Sequence, residues 1–236
     1  NVFFENLAYS DQGNKTYAVQ GVEASAVTNY TKIPSNYNSI INLRNTSKGY
    51  SYNVSAKLEK SFEFGLNLMA SYTFGHSYSV NDGTSSIALS NWKYNYSRNT
   101  NDAKELSWSK FDIPHQVTVQ VSYDSPKYWN NWMSTTFAVT YNGYSGGRYS
   151  LTMNEKSDYN GDGYNGNSLL YIPTKEELAV MNFVDNVNSK TKAVIMTADQ
   201  SRQAYENWIE NDSYAKNHRG QYAKRNSQLT PWEHEV

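Results

Sequence analysis

The segment Asp158-Tyr159-Asn160-Gly161-Asp162-Gly163 sets oxygen-bearing side chains at alternate positions and ends on a glycine. Asp158, Asn160 and Asp162 can converge on one cation, as in the first half of a calcium loop whose glycine permits the sharp turn. The twelfth position is Leu169 instead of a bidentate glutamate. The same six residues also spell a turn held by its own Asn and Asp hydrogen bonds, so both readings stand. A second group is aromatic. Trp92, Tyr94, Tyr96 and Trp108 lie in a stretch rich in Asn and Ser. Their rings could stack on a sugar or other ligand, or pack the loop on itself.

Nucleophilic chemistry finds less support. Gly143-Tyr144-Ser145-Gly146-Gly147 has a superficial likeness to a serine-nucleophile segment, but it sits where a strand gives way to a loop. His76, His115, His218 and His234 lack metal-ligand spacing. Cysteine is absent, which excludes disulfides, thiolate metal sites and cysteine nucleophiles. The expectation is a protein without catalytic residues and without a cofactor other than calcium at 158–163. With 21 basic and 22 acidic residues the net charge is −1, which argues against a nucleic-acid partner.

The elements that carry these residues are strands. Along 50–60, Tyr50, Tyr52, Val54, Ala56 and Leu58 alternate with Ser51, Asn53, Ser55, Lys57 and Glu59. That is the period-2 pattern of a strand with one apolar face. After a turn at Lys60-Ser61, a second run places Phe62, Phe64, Leu66, Leu68, Ala70, Tyr72 and Phe74 on one side. A second hairpin pairs Val117, Val119, Val121 and Tyr123 with Met133, Thr135, Phe137, Val139 and Tyr141, around a turn at 124–131. Eleven residues extend roughly 36 Å; tilted by about 45°, they climb about 26 Å, close to the ~25 Å apolar band of an outer-membrane barrel.

Two features favour that barrel over a soluble sheet. Lys57, Glu59, Lys60 and Glu63 crowd the turn, while mid-strand polar positions are small and uncharged. Aromatics gather near strand ends, as an interfacial girdle requires. Composition agrees: 29 Asn, 28 Ser and 21 Tyr make up a third of the 236 residues, and only 38% are hydrophobic. Connections alternate short and long, which assigns the long ones, about 79–113 and 145–231, to the cell exterior. The longest predicts two helices. One covers 174–185 with Thr174 and Glu177 as a capping box, and the other begins after Thr197 and reaches Tyr214, with Ala204, Trp208 and Ile209 on its apolar side. The fold class expected is therefore all-β: antiparallel strands of a transmembrane β-barrel, as an incomplete barrel section, with hairpins at about 50–78 and 115–144 and short helices in a long extracellular loop.

Several stretches resemble TonB-dependent outer-membrane receptors of Bacteroidetes, especially their Oar-like branch. They are 47–58 (SKGYSYNVSAKL), 65–75 (GLNLMASYTFG), 80–86 (VNDGTSS), 111–116 (FDIPHQ), 160–167 (NGDGYNGN), 218–222 (HRGQY) and 231–234 (PWEH). The resemblance implies a 22-stranded barrel closed by an N-terminal plug. It also implies import of a scarce nutrient, powered by the proton-motive force through TonB, ExbB and ExbD. The sequence contains no plug, so all 236 residues are expected to be a section of one such barrel domain. The expected partners are outer-membrane lipid, TonB–ExbB–ExbD acting through the plug region, an imported ligand and a surface lipoprotein. The rival expectation is a soluble secreted β-sandwich that binds carbohydrate through Tyr and Trp.

Overall fold

The computed structural model describes residues 2–6, 41–98, 104–153, 158–160, 162 and 164–236. Its main body is an antiparallel sheet. Two short strands, β1 (Val2–Asn6) and β2 (Ile41–Asn45), pair with each other and lead into β3 (Tyr50–Ser61) and β4 (Leu66–Ser79). A helix, α1 (Ala88–Lys93), and a two-residue strand, β5 (Ser107–Trp108), follow in the first long connection. Then come β6 (His115–Asp124), β7 (Thr136–Tyr144) and β8 (Arg148–Tyr149). The second long connection carries β9 (Tyr171–Ile172), α2 (Lys175–Val180), β10 (Asn186–Val187), β11 (Val194–Met196), α3 (Ala198–Asn211), β12 (Gln221–Tyr222) and β13 (Gln228–Leu229). The last strand, β14 (Glu233–Glu235), returns to the main sheet. The order there is β14-β7-β6-β4-β3, with β5 joined to the end of β4.

The register explains what the alternation is for. Val54 faces Phe74, Leu58 faces Ala70, Leu68 faces Val121, Ala70 faces Val119 and Val121 faces Val139. Apolar residues of four adjacent strands therefore share one face. The opposite face carries Ser55 against Thr73, Ser71 against Thr118 and Gln120 against Thr140. No described layer covers the apolar face. Val54 is 68%, Leu58 77% and Val139 59% exposed. Water does not tolerate such a contiguous surface, but hydrocarbon does. Twelve residues of β3 extend roughly 40 Å, and at a 45° tilt climb about 28 Å, enough for the ~25 Å band. Among the described residues no helix is long and apolar enough to cross a membrane.

Aromatics mark both ends of the wall. At the short-turn end Phe64, Tyr128, Trp129 and Trp132 are exposed, and at the other Tyr50 and Tyr52 are. The first turn differs from the sequence expectation. It lies at 62–65, not at Lys60-Ser61, so Phe62 and Phe64 belong to the turn. Gly65 decides this: its φ of +94° suits glycine. The Phe62 N–H donates to the Leu66 carbonyl at 2.8 Å and closes the loop. In the second hairpin the return strand starts at Thr136 rather than Met133. Trp129, Asn130 and Asn131 all take positive φ, and Tyr128 and Met133 bridge across the tip.

Apart from Phe4 of β1, the buried hydrocarbon lies instead in the long connections. Ile172, Ile209, Ala215 and Ala223 form a core, with Leu151, Leu170, Tyr205, Trp208 and Tyr214 packed around it. The expected capping box of Thr174 with Glu177 is present, and Thr197 caps the second helix in a box with Gln200 that the sequence expectation did not include. Both helices are shorter than the sequence suggests, because Met181 and Asp212 turn extended at their ends. On α3 the buried side is Tyr205, Trp208 and Ile209; Ala204 is exposed.

If the apolar face meets lipid, Val139→Arg will cost about 2–4 kcal/mol, whereas Thr140→Arg on the other face will cost little. Refolding titrations of the two variants into vesicles, in the full-length protein, measure the difference.

Candidate functional site

The two long connections meet above the sheet through buried polar groups. Asp112 is the pivot. Its carboxylate accepts from the Ser77 N–H at 2.6 Å and from Arg148 Nε at 2.8 Å and Nη2 at 2.6 Å, and its Oδ2 lies 3.2 Å from His76 Nδ1. Arg148 also lies over the Trp108 ring at 5.0 Å and donates to the Asn226 carbonyl. A buried ion pair holds only when the remaining donors and acceptors are met, and here three segments are needed to meet them.

Asp82 plays a similar part. It accepts from Ser79 Oγ at 2.6 Å, Ser109 Oγ at 2.9 Å and Asn226 Nδ2 at 3.1 Å. Arg225 is buried beside it and donates to the carbonyls of Val80 and Ser79 and to Asn95 Oδ1. Burial draws its pKa below the usual guanidinium value. None of Asp112, Arg148, Asp82 or Arg225 is singled out by sequence pattern. Their partners lie up to 146 residues away, so no local spacing marks them.

Two cavities open in this lobe and share Tyr96 and Arg225 in their walls. One, of about 410 Å³, is lined by Asn81, Asp82, Tyr94, Lys110 and Tyr149 among others. The other, of about 690 Å³, is lined by Arg98, Glu105, Tyr171, Tyr222 and Lys224 among others. Tyr171 is pushed up to about 12 by burial and by the Glu177 carboxylate, to which its hydroxyl donates at 2.9 Å. The four aromatic ligand candidates part company here. Tyr94 is exposed and Tyr96 half-buried, and both line cavity walls. Trp92 is wholly buried, edge-on to Tyr164 at 5.5 Å, and has no open face. Trp108 lies between Tyr78 and Arg148 and belongs to the loop's own packing.

The candidate calcium residues do gather, but around the loop's own N–H groups. Asp158 Oδ1 and Asn160 Oδ1 both accept from the Asp162 N–H at 3.2 Å. Asp162 accepts from the Tyr164 N–H at 2.8 Å, from Asn167 Nδ2 at 2.6 Å and from Asn160 Nδ2 at 3.2 Å. Asn167 also donates to the Lys93 carbonyl at 2.8 Å, joining this turn to the first long connection. Among the described residues no three His, Asp or Glu side chains form a metal-sized group. The donor set suits an Asx-stabilised turn.

The open apolar face, the aromatic ends and the short-long alternation of connections define the wall of a membrane β-barrel. The comparison with known families agrees: residues 4–234 match the family described as outer membrane beta barrel domain. The chain belongs to that family, and its place is the outer membrane. Neither a curated protein nor a solved structure matches it significantly. The soluble sandwich is not favoured, since Leu68, Val121 and Val139 are exposed and not packed beneath a second sheet.

Burial raises the Asp162 acid to about 6 from an ordinary 3.8, against the lowering effect of its hydrogen bonds. A raised acid means that the folded lobe binds the proton more tightly than the unfolded chain. That stability is complete below the ordinary value and is lost as pH rises through about 6. Hydrogen exchange at 164–169 should therefore slow several-fold from pH 7 to pH 5, after correction for intrinsic rates, and Asp162→Asn should remove the change. A cation held by Asp158 and Asp162 would give the opposite sign and sensitivity to EDTA.

Proposed function

We propose that this chain is a section of a TonB-dependent outer-membrane transporter. Its strands supply barrel wall, and residues 79–113 and 145–231 supply extracellular loops that bind and gate an imported nutrient. The observation that carries the reading is the lobe. A folded cap, with its own core and two polar cavities, stands on the long-connection end of a lipid-facing wall. A barrel that only anchored itself would have no use for such cavities. The resemblance to the Oar-like branch supplies the energy source: TonB, ExbB and ExbD act through a plug that these residues do not include.

The chemical role of the lobe is selective retention. Tyr94, Tyr96 and Tyr149 bring rings and hydroxyls to one cavity. Rings with a polar tip recognise ligands that combine apolar and hydrogen-bonding surface. The buried ion pair of Asp112 with Arg148 and the hydrogen bonds of Arg225 fix the cavity walls, so ligand binding orders little extra chain.

Growth of a strain lacking the full-length protein, compared with a strain lacking TonB, tests this across iron, peptide and glycan limitation. The two strains should share a defect on at least one nutrient. Replacing Tyr94, Tyr96 and Tyr149 by Ala should lower uptake of that nutrient about tenfold or more, while the barrel still assembles. Normal growth of the deletion strain wherever the TonB-deficient strain fails contradicts the proposal.

A further inference from the structure

Histidines occupy the lipid-facing side of the sheet near its long-connection end. His115 lies opposite Phe74, and His234 lies opposite Gly143. Parity places them with Val119 and Tyr141, on the face that meets hydrocarbon lower down. Each ring is tied back by one nitrogen. His115 Nδ1 is 2.7 Å from the Tyr72 hydroxyl, and His234 Nδ1 is 2.8 Å from the Tyr141 hydroxyl. No described residue pairs with either Nε2. A third histidine, His76, shares this face but is engaged with Asp112 and belongs to the framework of the lobe.

This arrangement is repeated on two strands, β6 and β14, separated only by β7, so the rings stand roughly 10 Å apart across the sheet. A tyrosine hydroxyl that donates to Nδ1 leaves the ring proton on Nε2. With the tyrosine hydroxyl as that donor, each ring keeps one N–H, on Nε2, that no described residue accepts. An unmet donor in hydrocarbon is costly, and two such donors at neighbouring heights mark the level where the wall leaves the acyl chains. Phe74, 5.3 Å from the His115 ring, and Trp232, 6.5 Å from the His234 ring, give the same level its interfacial aromatics.

We infer that His115 and His234, held by Tyr72 and Tyr141, bind the phosphate groups of outer-leaflet lipid headgroups. Imidazole N–H groups suit an anionic oxygen acceptor, and the bond strengthens further if the ring is protonated. The site continues the lipid-facing wall and needs no other macromolecule. It rests on the proposed orientation, with the long connections outside the cell.

The test uses delipidated full-length protein and two probes, phosphorylated lipid A and the same lipid stripped of phosphate. Native mass spectrometry gives the occupancy of each. Wild type should hold the phosphorylated lipid about tenfold more tightly than the H115F/H234F variant, and the two should hold the stripped lipid equally. A second variant, H115Q/H234Q, keeps an N–H donor and should retain much of the difference even if the phenylalanine variant assembles poorly. Equal retention of the phosphorylated lipid by wild type and both variants overturns the inference, as does indifference of wild type to phosphate. Orientation is read separately: a Lys190→Cys label in the exposed β10–β11 turn should react with an impermeant maleimide on intact cells. Failure of that label would sink the orientation, and with it the assignment of leaflet.

Discussion

Hydrocarbon offers a backbone no hydrogen-bond partner, and the sheet is arranged around that fact. A strand can cross lipid only when its N–H and C=O groups are paired by neighbours. From β3 through β4, β6 and β7 to β14 the ladder is continuous and antiparallel. Given that ladder, side chains must alternate between two unlike media. The period-2 pattern follows, as do the small hydroxyl and amide residues on the second face. The inverted distribution of apolar residues follows too: Leu58 and Val54 stand open on the wall while Ile172 and Ile209 are sealed in the lobe.

The lobe answers a different requirement. Long connections outside a membrane are bathed in water and lose conformational entropy when they fold. Four core residues and their neighbours supply part of the compensation, but polar networks do much of the fixing. Asp112 joins the end of β4 to Arg148, Arg225 joins the segment before β13 to the end of β4, and Asn167 joins the turn at 158–167 to α1. Each tie crosses from one connection to the other or down to the wall. The two connections are therefore tied to each other, and the cavities between them have walls bonded to the end of β4.

What the sequence disclosed is what local pattern can carry. Strand parity repeats every two residues, so the faces of 50–60 and 117–123 were legible directly. A capping box spans four residues, so Thr174 with Glu177 was legible, as was Thr197 as a cap. Element ends were less legible, because single residues decide them: Gly65 moves a turn by two positions, and Met181 ends a helix early. The helix α1 begins after Ile87 with no capping side chain, so it lacks a start signal. Trp92 and Tyr96 look alike in a run of Asn and Ser, yet one is sealed and the other lines both cavities; tertiary packing alone separates them. The ion pair of Asp112 with Arg148 bridges 36 residues, beyond any motif.

The central claim is that the apolar face of this sheet meets lipid. Spin labels placed singly at Val54, Leu58, Val119 and Val139, and at Ser55, Thr73, Thr118 and Thr140, test it in the full-length protein in bilayers. The account predicts that the first set collides with dissolved oxygen in preference to a water-soluble nickel chelate, and that the second set does not. Preference for the chelate at both sets, or shielding of the first set from both reagents, would contradict it.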